Sequence, residues 1–185
     1  MADDLLAVLD RNSPFDAFAE EPALDAHAVS ELAAIDGAEG RLVELAGDPA
    51  APPARRYAAA EALLQGQLED WRSSPDSVRA VADALAVSLR EDTSHNRWGL
   101  PGHFAGRLGK QLVALPSGVD EALEPLLDDN APLVIEGSEA ATINEMAHYR
   151  IADLAAYLLS LHRGSVWDAP VKPSKRAKFI ARLKG

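Results

Sequence analysis

The chain has 185 residues, is 48% hydrophobic but only 5% aromatic, contains no cysteine, and carries a formal net charge of −11. Without cysteine there are no disulfides, no thiol nucleophile and no cysteine-held zinc or iron–sulfur site. The acidic balance disfavours nucleic acid as a partner, because neutralisation of phosphates supplies most non-specific affinity.

A chain of this size can bury roughly 70% of its unfolded surface as one domain, and few rings are available, so Ala, Leu and Val must fill the core. We read residues 1–185 as a single all-α domain, because strand-favouring residues never alternate over a usable run. Charge is unevenly placed. The first 50 residues hold twelve Asp or Glu against Arg11 and Arg41, whereas 172–185 hold six Lys or Arg and no acid. Residues 1–20 thus form an acidic N-terminal segment. No apolar run approaches the length of a membrane span, and Met1-Ala-Asp-Asp places acids where a secretory signal carries bases, so the expected localisation is cytoplasmic.

In chain order the pattern predicts a short helix over 3–10 and a turn at Asn12-Ser13-Pro14. A helix from Asp25 to Ala34 and another from Asp36-Gly37 to Ala46 follow. Pro52-Pro53 suits the first turn of the next helix, over 53–68, and Ser74-Pro75-Asp76 opens one to Glu91. The 92–102 stretch is dense in turn residues. Helices are then expected over Phe104–Leu115 and Gly118–Asp128, a long irregular connection over 129–145 that holds a short extended piece at Leu133-Val134-Ile135, and a helix over 144–162. Ser174 is the expected N-cap of a basic C-terminal capping helix, with Ala177, Ile180, Ala181 and Lys184 along one side. The total is about eight to nine helices.

One small-residue pattern occurs twice, at Arg56-Tyr-Ala-Ala-Ala-Glu-Ala-Leu-Leu-Gln-Gly66 and Arg150-Ile-Ala-Asp-Leu-Ala-Ala-Tyr-Leu-Leu-Ser-Leu-His-Arg-Gly164, with a weaker copy at Val78-Arg-Ala-Val-Ala-Asp-Ala-Leu85. An Ala stripe beside a Leu stripe suits close helix-on-helix packing. Such helix pairs at 37–66 and 118–164 resemble the HEAT-like, armadillo-type α-solenoid repeats. Trp98-Gly-Leu-Pro-Gly102, Leu126-Leu-Asp-Asp129, Gly137-Ser-Glu-Ala-Ala-Thr142 and Tyr149-Arg-Ile-Ala-Asp-Leu-Ala-Ala156 resemble an uncharacterised bacterial group of that class. The resemblance implies a short right-handed superhelix of antiparallel helix pairs that presents protein-binding surfaces. The copies are unevenly spaced where a regular array keeps a period near ~40 residues, so the solenoid is expected to be irregular.

Two groups of residues are candidate contact surfaces. Trp98, Leu100, His103 and Phe104 form an apolar and aromatic group in a loop, the mix enriched at interface centres. Ser138, Glu139, Thr142, Asn144, His148, Tyr149 and Arg150 form the densest polar group, and Asp153, three residues after Arg150, is its structural partner. Ser138 or Thr142 is also placed to cap a helix. A Ser138/His148/Asp153 triad can be drawn on paper, but no nucleophile elbow or oxyanion loop accompanies it. His95 and His103, read as surface-loop residues, with Asp92 form the only conceivable metal set. The expectation is no catalytic residue, no metal and no cofactor.

The reading is therefore a non-catalytic protein-interaction module or adaptor with a protein partner. Two alternatives are an acidic toxin-neutralising immunity protein, whose charge steers association with a basic nuclease, and an enzyme or small-ligand binder using the 137–153 group.

Overall fold

The computed structural model describes residues 2–11, 24–66, 68–168 and 172–184, with the backbone alone for Ala2, Asp3 and Ser138. The turn expected at Asn12-Ser13-Pro14 lies outside the described residues. The protein is all-α, with one two-stranded hairpin among the described residues. It divides into two compact units, residues 1–91 with 116–118 and residues 92–115 with 119–185.

Unit 1 contains α1 (Ala2–Arg11), α2 (Ala26–Ala33), α3 (Ala38–Gly47), α4 (Pro53–Gln65) and α5 (Pro75–Glu91), with a 3-10 turn at Asp70–Ser73. The starts are local chemistry. Asp25 accepts the Ala28 N–H at 2.7 Å to cap α2, and Pro53 occupies the first turn of α4, where its missing N–H costs nothing. Helices α3, α4 and α5 pack on one another. Residues 56 to 63 of α4 are buried without a break, so this helix is surrounded on every side. The run of Ala58, Ala59, Ala60 and Ala62 lets neighbours approach closely, while Leu42, Leu63, Leu85 and Leu89 fill the remaining space. The polar atoms on α4 are satisfied internally. Arg56 Nε donates to the Ala46 carbonyl at 2.9 Å, closing the end of α3, and the Tyr57 hydroxyl and Gln65 amide both donate to the buried Glu61 carboxylate.

Unit 2 contains the hairpin strands β1 (Gly99–Leu100) and β2 (Phe104–Ala105), then α6 (Arg107–Val113), α7 (Val119–Leu123), α8 (Ser138–Ala147), α9 (Ile151–His162) and α10 (Pro173–Leu183). Here α9 is the central helix. Residues 151 to 160 are all buried, and α6, α7, α10 and a 3-10 turn at Glu124–Asp128 pack against it. The two strongest Ala-rich copies are thus the enclosed helices of the two units.

Several boundaries differ from expectation, among them the end of α4, at Gln65 rather than 68, and the N-cap of α10, which is Lys172 rather than Ser174. Phe104 lies on β2, paired with Leu100, and α6 begins only at Arg107. The helix expected over Gly118–Asp128 changes to 3-10 geometry at Glu124, where Pro125 removes an N–H that an α-helix would use. The connection after Asp129 is shorter than expected, because α8 fills 138–147. Its only buried described residues are Asn144 and Ala147, which leaves no apolar stripe to read. The helix expected over 144–162 is broken at His148, whose backbone is left-handed (φ 52). At the extended piece expected over Leu133-Val134-Ile135 no strand forms; an isolated bridge joins the preceding Pro132 to Arg150.

Charge follows the division. The sequence of unit 1 holds eighteen acids and seven bases, and that of unit 2 eleven of each. All of the net negative charge is in unit 1.

Candidate interaction surface

The junction of α8 and α9 organises unit 2. Helix α8 ends in the left-handed His148, whose N–H donates to the Asn144 carbonyl at 2.8 Å. Arg150 then turns extended and becomes the N-cap of α9. The first amides of α9 need acceptors, and the preceding loop supplies them. Ile151 N donates to the Ala131 carbonyl at 2.9 Å and Ala152 N to that of Asp129 at 3.0 Å. Asp153, at the third helical position, reaches back to accept the Arg150 N–H at 3.0 Å.

Asp153 is fully buried between two guanidinium groups. Arg150 donates to it through Nε at 3.2 Å and through a terminal nitrogen at 3.1 Å. Arg176 of α10 places its Nε 3.2 Å from the same carboxylate. Arg176 also donates to the carbonyls of Ala147 (2.9 Å) and His148 (3.2 Å), closing the end of α8, and covers the Tyr149 ring at 4.8 Å. Burial pushes the Tyr149 hydroxyl above its ordinary value; Arg176 opposes the shift and Asp153 adds to it.

The 129–137 connection is pinned from both sides. Asn144 Nδ2 donates to the Leu133 carbonyl at 2.7 Å, and Leu133 N to that of Tyr149 at 2.8 Å. On the other side, His95 N donates to the Val134 carbonyl at 2.8 Å, and Nδ1 of its ring lies 3.1 Å from Val134 N and 3.2 Å from the Val134 carbonyl oxygen. The Asn96 amide pairs with Glu136 like a strand, accepting its N–H and donating to its carbonyl, both at 2.9 Å.

The hairpin is equally tied down. Asp92 accepts from Arg97 at 2.8 Å and from the Trp98 indole at 3.3 Å, with the Asp92 and Arg97 side chains 0% and 2% exposed. Gly99 sits at φ 113 directly against the Phe104 carbonyl, where a side chain has no room. The hairpin turn at Gly102 packs on Trp167, whose ring stands edge-on to Tyr157 and Phe179 at 5.6 and 4.8 Å.

These contacts divide the residues singled out from sequence. Trp98 and Leu100 are 0% exposed and belong to the core, so they are withdrawn from the contact surface. Tyr149 and Asn144 are buried and committed to internal contacts, as is Asp153, and Arg150 is spent on Asp153 and Asn130. His95 is 2% exposed rather than on the surface, and Asp92 beside it is taken by Arg97. His103, Phe104, Glu139, Thr142 and His148 remain exposed. The Ser138 side chain lies outside the description, and the cap of α8 is Gly137. Glu139 and His148 lie at opposite ends of α8, about 13 Å apart along its axis, so the 137–153 group does not converge on one point. Sequence reasoning missed Met146, 75% exposed on α8, and the burial of Arg176 within the basic end. Among the described residues, no three His, Asp or Glu are grouped to hold a metal ion, and no helix is long and apolar enough to cross a membrane.

Comparison with protein-family models, with curated proteins and with solved structures finds no match.

Proposed function

We propose that the chain is a non-catalytic protein-interaction module of HEAT-like kind, and that the outer face of α8 is a contact surface for its protein partner. The observation that carries this reading is the exposure of Met146 at 75% on a helix whose inner side is fully committed. Glu139, Thr142 and Met146 follow one another at three- and four-residue spacing, the pattern by which a helix offers anchors along one face. Asn144 and Arg176 immobilise the helix, so little ordering entropy is left for binding to overcome. A thioether is flexible and polarisable, which suits it to an adaptable contact. His103 and Phe104, exposed on the hairpin, are a second contact element.

Affinity capture from the native cell followed by mass spectrometry tests this. Met146→Glu and Glu139→Lys are each expected to lose the partner, while Trp98→Phe keeps it. Retention of every partner by both α8 variants would show that this face is not the contact surface.

A further inference from the structure

We propose that the outer face of α10 is a docking groove for an acidic segment of a protein partner, a proposal that rests on the reading of the chain as a protein-binding module. An open groove of about 580 Å³ lies there, lined by Asp168, Lys175, Lys178, Ala181 and Arg182. Lys175, Lys178 and Arg182 are spaced by three and four residues and form one cationic stripe, about 10 Å long at the helical rise.

The stripe is held rigidly from behind. Arg176, Phe179 and Ile180 are buried on the inner side of α10, Arg176 faces Asp153, and Arg163 donates to the Leu183 carbonyl at 2.9 Å. The inner side is thus spent on folding, and the outer side has charge left over. Of the six cations in 172–185, Arg176, Arg182 and Lys184 have acidic partners in Asp153, Asp168 and Asp128. Lys172, Lys175 and Lys178 are exposed and have no ion pair among the described residues. The groove already shows how a carboxylate sits in it, since Asp168 lies 2.6 Å from Arg182 with the two side chains 57% and 64% exposed. Such an exposed pair contributes little to stability, so an incoming carboxylate can replace Asp168 at small cost.

The charge and the shape favour an acidic protein segment over other polyanions. Nucleic acid draws most of its non-specific affinity from counterion release, and a stripe of three cations releases few counterions. The nearby rings of Trp167 and Phe179 stand edge-on to one another and offer no stacking platform. Seating on an anionic membrane takes either an inserted apolar helix face or a larger basic cluster than this stripe of three, and the apolar face of α10 is buried in the protein.

Fluorescence anisotropy of a fluorescein-labelled peptide alternating Glu and Ser, titrated with the full chain, tests the proposal. Saturable binding is expected, weakened by added salt and by at least about tenfold in Lys175→Glu/Lys178→Glu. Both lysines are exposed, so the thermal midpoint of that variant should match the parent and exclude misfolding. Absence of saturable binding, or equal binding by the variant, overturns the groove. So does variant-sensitive binding of an oligothymidylate or of phosphatidylserine vesicles without binding of the peptide. Met146→Glu separates the two readings: if it abolishes partner capture while the peptide fails to bind, the module stands without this groove, and the reverse pattern sinks only the α8 surface.

Discussion

The buried carboxylate of Asp153 lies 3.2 Å from Nε of Arg176, so that the first turns of α9 and α10 meet at one charge pair. The pair is buried on both sides, at 0% and 1% exposure, and removing one partner strands the other in a medium that solvates it poorly. Arg176→Met should therefore cost on the order of 3 kcal/mol, toward the lower end for a buried pair because Arg150 still faces Asp153. Urea denaturation measures it. Adding Asp153→Asn should recover part of the loss, and an unchanged midpoint in Arg176→Met would contradict the coupling.

Trp98 offers a second stability test. As a fully buried ring it should lose about 3–5 kcal/mol on truncation to Ala, whereas Trp98→Phe forfeits mainly the indole hydrogen bond to Asp92, about 1 kcal/mol. Near-UV circular dichroism and urea titration of the two variants separate them. A near-neutral Trp98→Ala would mean that the ring is not in the core.

Two helical glycines should respond to Ala with opposite signs. Gly40 on α3 has nothing within 4 Å of where a Cβ would stand, so Gly40→Ala should stabilise by about 0.5–1 kcal/mol. At Gly109 on α6 the same methyl would fall 2.5 Å from the Trp98 carbonyl and 2.9 Å from Leu158. Gly109→Ala should destabilise despite its better helix propensity, and thermal midpoints give both signs directly.

Alkaline pH should weaken the fold. Burial raises the hydroxyl pKa values of Tyr149 and Tyr157 above their ordinary 10.0. The native state holds these protons more tightly than the unfolded chain does. Their contribution is therefore complete below pH ~10 and is lost as pH rises through the folded values. Urea midpoints should stay level up to that point and then fall, and Tyr157→Phe should shallow the fall. A level profile well beyond it would contradict the burial of both hydroxyls.

The helices most legible in the sequence were those whose own residues carry the signal. Asp25, Pro53 and Pro75 announced helix starts, and the Ala-rich runs announced the two enclosed helices. The break at His148 was not legible, because a left-handed residue that is neither glycine nor asparagine is imposed by its surroundings, here Asn144 and Arg176. Helix α8 was hidden for a related reason: it buries too little to show a period. At the candidate site the pairing of Arg150 with Asp153 followed from spacing. The withdrawal of Trp98 did not, since composition alone cannot tell an interface tryptophan from one that closes a hairpin.

An interior assembled from methyl groups leaves change open in one direction only. Ala59 and Ala60 on α4, and Ala155 and Ala156 on α9, are 0% exposed, and neighbours packed that closely leave a larger side chain nowhere to go. The two central helices cannot grow without pushing their neighbours apart, and shrinking them to glycine sacrifices helix propensity. Diversification of this scaffold is thereby channelled outward, to the exposed residues of α8, α10 and the hairpin, where the sequence can be rewritten without the frame noticing.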